Sequence, residues 1–243
     1  MSNTIINSYN HVIPVPVPPT ISNLYAWYDS SDSSTITKSG SDRISSWTNK
    51  EGTTARDMVQ AAGGTQPLWI SAGKNSLDTI DFVGAKYMTT SSVLPSVSVP
   101  ITTFVVCKNP ASDSTVRHSV TNLLDDGMNV FYKETNDTWR YSASTGGAVE
   151  FTDAALLGVW NYVTFISNGT SSNISVNGSL KATTPSSALG TARSMAGLCI
   201  GTYGITPASA WNDQISEVII YDKLLNATEI GIIESYIATK WAI

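Results

Sequence analysis

The feature that most constrains this chain is a repeated alternation of short apolar runs with clusters of Ser, Gly, Asn and Pro. Each run has about the length of a β-strand, and the polar clusters between the runs are typical of turns. The pattern predicts an all-β protein, built as a sandwich or a barrel. The candidate strands are residues 25–28, 79–82, 102–108, 129–132, 139–142, 162–167, 173–176, 197–201 and 214–221.

Two of the runs are joined by recognisable turns. The stretch NVFYKETNDTWRYSAS predicts a hairpin whose polar turn falls near residues 135–138. A second tight turn is expected at Asn177-Gly178, because this dipeptide readily adopts the positive φ values of a two-residue hairpin.

The C-terminal stretch LLNATEIGIIESYIATKWAI has a helical period instead. Asn226 is placed to cap the helix, and Glu229 three residues later gives the spacing of a capping box. One helical face then carries the large side chains Ile230, Ile233, Ile237 and Trp241. A single amphipathic helix that follows many strands is expected to dock on the sandwich.

Residues 1–20 differ from the rest, because prolines alternate with valines in IPVPVPP. Proline fixes φ and donates no backbone hydrogen bond, so we expect an extended arm here and a folded domain over residues 21–243. The arm is either a disordered leader or spacer, or a strap on a neighbouring subunit. As a strap it would make its contacts through Val12, Ile13, Pro14, Val15, Pro16, Val17 and Pro18.

Charge excludes two classes of partner. The chain has 14 Lys and Arg against 19 Asp and Glu, a formal net charge of −5, and charged residues make up only 14% of the sequence. Nucleic acids and anionic membranes both require a basic patch, so neither is expected as a partner. Ser and Thr together account for 61 residues, so the surface is expected to be neutral and rich in hydroxyl groups.

The sequence offers little material for catalysis. His11 and His118 are the only histidines, and neither lies near a nucleophile motif such as G-x-S-x-G. No strand carries two acids on one face, as a glycosidase would need. Cys107 and Cys199 each lie in an apolar run and are expected to be free, buried thiols. We therefore expect no catalytic residue and no cofactor.

The acidic residues cluster beside turns, at Asp29 and Asp32, at Asp125 and Asp126, and at Glu150 and Asp153. Aspartate in such places commonly accepts hydrogen bonds from the local backbone, so turn formation is the default interpretation. Calcium bound by Asp125, Asp126 and Asn129 is an open alternative, although the EF-hand pattern is absent and no metal site is predicted.

Tryptophan and tyrosine are the remaining candidates for a binding site. Sugars dock on aromatic faces, while protein amides and hydroxyls form hydrogen bonds with the hydroxyl groups of the sugar. The tryptophans in apolar settings are assigned to the core, namely Trp27, Trp47, Trp160 and Trp241. The candidates for an exposed carbohydrate-binding platform lie near predicted loops or strand ends and are Trp139, Tyr141, Tyr203 and Trp211.

The C-terminal stretch NDQISEVIIYDKLLNATEIGIIESYIATKWAI resembles the end of the concanavalin A-like lectin/glucanase domains, also called laminin-G-like jelly rolls, found in bacterial and phage proteins. In that pattern a strand that contains a glutamate ends on Tyr-Asp and is followed by a helix that closes on Lys-Trp. The matching positions are Ile215, Glu217, 218–221, Asp222, Leu225, Glu229, Tyr236, Lys240 and Trp241. LYAWYDSSDSSTIT, RISSWTNKEG, IDFVGAKYMTT and WNYVTFISNGTSSNISVNGS resemble other parts of the same domains.

The resemblance implies a two-sheet antiparallel jelly-roll sandwich over residues 21–243. The E-x-D-x-x-E strand of the glucanase branch is absent, and the calcium ligands of the plant-lectin branch have no counterpart. The fold hosts both binding and structural modules, so it does not fix a function.

Two functions remain. The first is a non-enzymatic virion protein, such as a capsid decoration, fibre or tail-associated component. It would contact other virion proteins, form a homo-oligomer and bind host-surface glycans. The lack of a secretory signal peptide, a lone lectin-like domain and the proline-rich arm favour this role and a location in the virion. The alternative is a carbohydrate-binding lectin module whose arm is only a linker.

Overall fold

The computed structural model describes residues 18, 21–91, 94, 97–98, 100–111, 117–122, 129–133, 137–144, 147–183, 194–195, 197–203 and 209–243. Its secondary structure is almost entirely β, with an α-helix near the C-terminus. The elements are β1 (Leu24–Asp29), β2 (Ile36–Gly40), β3 (Arg43–Trp47), β4 (Met58–Val59), β5 (Leu68–Lys74), β6 (Leu77–Asp81), β7 (Met88–Thr90), β8 (Val97–Ser98), β9 (Ile101–Lys108), β10 (Arg117–Asn122), β11 (Asn129–Lys133), β12 (Thr138–Ser144), β13 (Gly147–Thr152), β14 (Trp160–Ser167), β15 (Asn173–Val176), β16 (Ser179–Thr183), β17 (Ser194–Met195), β18 (Leu198–Ile200), β19 (Gln214–Tyr221) and α1 (Ala227–Trp241).

The strands form two antiparallel layers. The front sheet runs β1–β19–β9–β14–β15–β16. The back sheet runs β13–β12–β11–β10–β18–β7–β4–β3–β2. The β5–β6 hairpin joins them, because β5 meets β3 at one edge and β6 meets β19 at the other. The predicted all-β jelly-roll sandwich is confirmed.

The central strands of the front sheet are buried on both faces. β9 and β19 are rich in apolar residues, and almost every side chain along them is buried. Val105 and Val218 face the core between the sheets, whereas the next residues, Phe104 and Ile219, face α1. Alternate side chains of a strand point to opposite faces, so such runs need a cover on each side.

That second cover is α1, and it begins where the sequence predicts. The Asn226 side chain accepts a hydrogen bond from the Glu229 amide at 3.0 Å, and the Glu229 carboxylate accepts one from the Asn226 amide at 2.9 Å. Ile233, Ile237 and Trp241 are fully buried against the front sheet. Burial of each such side chain contributes about 1.5–3 kcal/mol, so packing rather than helix propensity fixes α1.

Both predicted hairpins are present. β11 and β12 pair antiparallel with Lys133 opposite Trp139, which confirms the first. In the second, Val176 lies opposite Ser179, and Asn177 and Gly178 both have positive φ, at 50° and 73°. Those two angles are what a type I′ turn requires.

Of the predicted N-terminal arm, the structure describes Pro18, which is buried. Its carbonyl oxygen accepts hydrogen bonds from the Tyr221 hydroxyl at 2.8 Å and from the Ile21 amide at 3.2 Å. Pro18 is therefore held on the front sheet. The other predicted contact residues, Val12, Ile13, Pro14, Val15, Pro16 and Val17, lie outside the described residues.

Among the elements described above, no helix has the length and apolar character that a membrane span requires.

Candidate functional site

The aromatic platform predicted from the sequence is wrong for three of its four members. Trp139, Tyr141 and Trp211 are each fully buried. Trp139 and Tyr141 lie two residues apart in β12 and point into the core, while Arg140 between them points outward and pairs with Glu150 at 3.1 Å. The polar neighbours that suggested exposure belong to the opposite face of the same strand.

The two buried indoles are also held by hydrogen bonds within the fold. The Trp139 indole donates to the Asp153 carbonyl at 3.0 Å, and the Trp211 indole donates to the Lys108 carbonyl at 3.2 Å. Tyr203 is partly buried and is the one predicted platform residue that keeps some exposure. Of the tryptophans assigned to the core, Trp27, Trp47 and Trp241 are buried, and Trp160 is partly buried.

A buried ionic cluster joins α1 to the front sheet. Glu217, in β19, is fully buried, and its carboxylate accepts four hydrogen bonds. The donors are the Trp27 indole at 2.7 Å, the Tyr236 hydroxyl at 2.8 Å, the Lys240 ammonium at 3.1 Å and the Trp241 indole at 2.6 Å. Burial raises the pKa of Glu217 and Asp29 adds to the rise, while Lys240 opposes both.

Asp29 completes this Glu217 cluster, which we define as Asp29, Lys50, Glu217, Tyr236 and Lys240 with Trp27 and Trp241. Lys240 lies 2.6 Å and Lys50 2.9 Å from the Asp29 carboxylate. Burial alone would raise the pKa of Asp29, but the two ammonium groups and the Ser31 hydroxyl hold it below its ordinary value of 3.8. Every side-chain charge here is matched, as a stabilising buried network requires. The cluster is a structural junction.

A surface cleft of about 280 Å³ lies at the start of β1. We call it the Tyr25 cleft, after the residue that anchors it. Its lining comes from separate segments: β1, the turn that contains residues 53–56, the residue after β19, and the segment around β8. The lining residues are Tyr25, Thr53, Ala55, Arg56, Leu94, Val97 and Asp222.

Local features of the fold bring these segments together. A register shift between Leu24 and Ala26 turns both Tyr25 and Ala26 toward the core between the sheets. Asp222 follows the strand paired with β1, and its amide donates to the Asn23 carbonyl at 3.1 Å. Arg56 is the last residue of a 3-10 turn, and its carbonyl oxygen accepts a hydrogen bond from the Tyr28 hydroxyl at 2.5 Å.

Tyr25 carries an unsatisfied polar group. The residue is 2% exposed, and its hydroxyl makes no hydrogen bond of normal geometry with any described residue. The Arg56 guanidinium lies over the Tyr25 ring, 3.9 Å from the ring centre. Burial raises the pKa of Tyr25, Arg56 lowers it, and Asp222 and Glu51 raise it further, so the phenol stays protonated. An orphaned buried hydroxyl costs about 1–3 kcal/mol.

The rest of the cleft combines polar and apolar surface. One Arg56 nitrogen donates to the Tyr25 carbonyl at 2.7 Å and lies 3.1 Å from the Glu51 carboxylate. Leu94 and Val97 form the apolar wall. Asp222 is exposed and has no ion pair among the described residues. Few convergent polar groups beside apolar side chains are the usual composition of a small-molecule site.

A second cleft, of about 290 Å³, adjoins the first along the same turn. Its lining residues are Ile21, Ser22, Asn23, Leu24, Lys50 and Glu51. Lys50 in it lies 2.9 Å from Asp29 and 2.9 Å from Asp32. The Tyr25 cleft is the better candidate site, because its lining combines Asp222, unpaired among the described residues, with the apolar Leu94 and Val97.

The described residues contain no group of three or more His, Cys, Asp and Glu side chains able to hold a metal ion. Asp125 and Asp126 lie outside the described residues, as does the side chain of Asn129. Cys107 and Cys199 are buried thiols that form no disulfide bond, as predicted. Asp32 and Asp153 accept backbone hydrogen bonds from Ser34 and Ala155, which confirms turn formation at both.

The Tyr25 cleft was not predicted from the sequence. Asp222 was singled out only as part of the C-terminal pattern, and Tyr25 only as the start of a strand. The available signal was weak, since an Arg beside a turn and an Asp after a strand are individually common. What makes the site is their convergence on Tyr25, across positions up to 197 apart in the chain.

Solved structures with a similar fold come from proteins of low sequence identity to this chain. Trypanosoma rangeli sialidase, in complex with the inhibitor DANA, has a TM-score of 0.63 and 13% identity, covering 92% of this chain and 35% of its own. The binding domain of Paraclostridial Mosquitocidal Protein 1 has a TM-score of 0.58 and 14% identity, covering 87% and 52%. The binding domain of botulinum neurotoxin serotype D/C has a TM-score of 0.54 and 10% identity, covering 87% and 51%.

This chain thus spans about a third to a half of the length of those proteins, and at such identities the likeness shows the fold alone. No curated protein matches the chain by sequence. The family model for the concanavalin A-like lectin/glucanases superfamily, Laminin_G_3, matches residues 82–231, which is more than half of the chain. With its lectin-like jelly roll and this match, the chain belongs to the concanavalin A-like lectin/glucanases superfamily.

Proposed function

We propose that this chain is a carbohydrate-binding module that holds a sugar in the Tyr25 cleft without cleaving it. The observation that carries the proposal is Tyr25, whose hydroxyl makes no hydrogen bond of normal geometry with a described residue, in the lining of a cleft whose rim offers Asp222 and Arg56. A buried polar group without a partner calls for an explanation in a native structure. A polyhydroxylated ligand supplies that partner, directly or through a bridging water.

The rest of the cleft suits the two faces of a sugar ring. Asp222 can only accept hydrogen bonds when it is ionised, and the Arg56 guanidinium can only donate them. A sugar hydroxyl does both, so adjacent hydroxyls can bond the two side chains at once. The C–H face of the ring would pack on Leu94 and Val97, where apolar contact replaces water.

Binding without hydrolysis is part of the same proposal. Glycoside hydrolysis normally needs two carboxyl groups on either side of the scissile bond. Among the described residues that line the cleft, Asp222 is the single carboxylate. Two of the similar folds are described as binding domains, which fits a module of this kind.

A glycan array followed by calorimetry tests the proposal. Ala55 is exposed at the middle of the 3-10 turn Thr54–Arg56, so Ala55→Trp should fill the cleft and leave the fold intact. The matched control is Ala155→Trp, since Ala155 is exposed at the same position of the 3-10 turn Ala154–Leu156. We expect bound sugars to be lost in the first variant and retained in the second. Equal binding by both would contradict the assignment.

A second function, a structural role in a virus particle, is favoured by the N-terminal segment. The Pro18 carbonyl is anchored on Tyr221, so Pro18 is a fixed point of the domain, and in this proposal the residues before it contact a neighbouring subunit. In this proposal the chain forms a homo-oligomer, contacts other virion proteins and presents its cleft to host-surface glycans. Deleting residues 1–17 should abolish oligomerisation and keep a folded monomer. An unchanged mass by light scattering would refute it.

A further inference from the structure

The charges around the Tyr25 cleft are unbalanced. Asp222 is exposed at the rim and takes part in no ion pair among the described residues, because the neighbouring Lys223 is engaged by Glu229 at 2.7 Å. Arg56 brings the single positive charge of the lining, and Glu51 lies 3.1 Å from it. Arg56, Glu51 and Asp222 together carry one positive and two negative charges, so the net charge of these three side chains is negative.

The position of the Arg56 guanidinium limits what it can offer to a ligand. One of its nitrogens is bonded to the Tyr25 carbonyl and to Glu51. Its central carbon lies over the Tyr25 ring, 3.9 Å from the ring centre. An arginine recognises a carboxylate best when two of its N–H groups are free to donate parallel hydrogen bonds. Arg56 is less available for this, because it stacks on Tyr25 and pairs with Glu51.

The charges near the phenol act in opposite directions. Burial does most to raise the pKa of Tyr25, Arg56 lowers it, and Asp222 and Glu51 raise it. A negative group placed beside Asp222 would be repelled by that carboxylate, unpaired among the described residues, because the Arg56 charge is already shared with Glu51. A neutral hydroxyl would not be repelled, and it could donate a hydrogen bond to Asp222.

Resting on the proposed function, we infer that the cleft selects uncharged sugars and rejects sugars that carry a carboxylate, with Asp222 as the residue that sets this selection. Uronic acids and sialic acids are the rejected class. Neutral hexopyranosides are the accepted class, because each of their hydroxyls can donate to Asp222 and accept from Arg56.

The size of the selection follows from the exposure of Asp222. For two charges a few ångströms apart near a protein surface, screening by water leaves an interaction that corresponds to roughly a three- to tenfold change in affinity. The selection should weaken at high salt, since mobile ions screen exposed charges.

The experiment compares matched ligands on the full chain. A glycan array first ranks neutral glycans against the same glycans carrying one added uronic or sialic acid, and calorimetry then measures the best pair. The wild-type chain should prefer the neutral member. Asp222→Asn should raise the ratio of acidic to neutral binding roughly three- to tenfold. The control is Asp42→Asn, because Asp42 is exposed and lies outside the cleft lining, and it should leave the ratio unchanged.

The possible results separate the charge selection from sugar binding itself. Stronger binding of the acidic member by the wild-type chain overturns the inference and keeps the sugar-binding function. A ratio that Asp222→Asn does not alter, or that Asp42→Asn alters equally, removes Asp222 from the selection. No binding of either class by a folded wild-type chain overturns the proposed function. Thermal unfolding of both variants near the wild-type temperature shows that the fold is intact.

Discussion

Two regions of this molecule bring aromatic rings, carboxylates and basic side chains together, and they use them differently. In the Glu217 cluster the carboxylate of Glu217 accepts four hydrogen bonds, and Lys240 bridges it to Asp29. In the Tyr25 cleft the phenol lies beside the Arg56 guanidinium but makes no hydrogen bond of normal geometry, and Asp222 has no counter-ion among the described residues. The first region is buried against α1, whereas the second opens to solvent.

The difference teaches how the chain divides stability from binding. A satisfied network gains nothing from a ligand, because all its donors and acceptors are already engaged. An unsatisfied cleft is a small cost to the folded state that a ligand can remove. The comparison therefore predicts that variants in the cluster lower stability, while variants in the cleft lower affinity.

The largest effect is expected from Glu217→Ala. The change leaves two indole N–H groups and one hydroxyl buried without their acceptor and removes one of the two carboxylates that pair with Lys240, which should lower the free energy of unfolding by about 3–5 kcal/mol. Urea unfolding followed by circular dichroism measures it. The control is Glu150→Ala, which breaks a surface pair with Arg140 and should cost about 1 kcal/mol or less. Equal losses in the two variants would contradict a structural role for the cluster.

A smaller loss is expected from Lys240→Met. The methionine keeps most of the aliphatic bulk, Lys50 still pairs with Asp29, and Glu217 retains three neutral donors. We expect the free energy of unfolding to fall by about 2–3 kcal/mol, because two buried carboxylates lose their shared cation. Lys38→Met serves as the control, since its pair with Asp42 is exposed. A variant as stable as the wild type would show that Lys240 is dispensable.

Lowering the pH should destabilise the folded chain, because Asp29 in the Glu217 cluster becomes protonated. Its pKa is lower in the folded chain than its ordinary value of 3.8, so the stability it contributes is full above pH 3.8 and is lost as the pH falls through the folded value. Glu217 has the opposite sign, since its raised pKa makes the folded state the tighter proton binder. Stability measured from pH 5 to pH 2 should fall less steeply in Asp29→Asn than in the wild type. Parallel curves would count against the pairing of Asp29 with Lys240 and Lys50.

Much of the architecture could be predicted from the sequence, because it is determined by patterns within short segments. The alternating runs predicted nine of the described strands, Asn177-Gly178 predicted its turn through its preference for positive φ, and Asn226 with Glu229 predicted the start of α1. The family resemblance included Glu217, and the structure adds that this acid is buried.

The candidate site could not be predicted from the sequence, because it depends on contacts between segments that are far apart in the chain. Trp139 and Tyr141 have polar neighbours in sequence, yet those neighbours lie on the other face of β12, and only the pairing with β11 and β13 decides which face is inward. The Tyr25 cleft depends on a register shift in β1 and on residues far apart in the chain. No pattern within a single segment encodes that meeting.

The most direct test of the central claim compares two phenols. Tyr25 and Tyr141 are both buried, and neither hydroxyl makes a hydrogen bond of normal geometry, but only Tyr25 lines the cleft, whereas Tyr141 packs on Phe165 in the core. We predict that Tyr25→Phe and Tyr141→Phe both keep a free energy of unfolding within about 1 kcal/mol of the wild type or above it. Sugar affinity should fall roughly three- to tenfold in Tyr25→Phe alone, the equivalent of one lost hydrogen bond. Unchanged affinity in Tyr25→Phe, or an equal loss in Tyr141→Phe, would contradict the account.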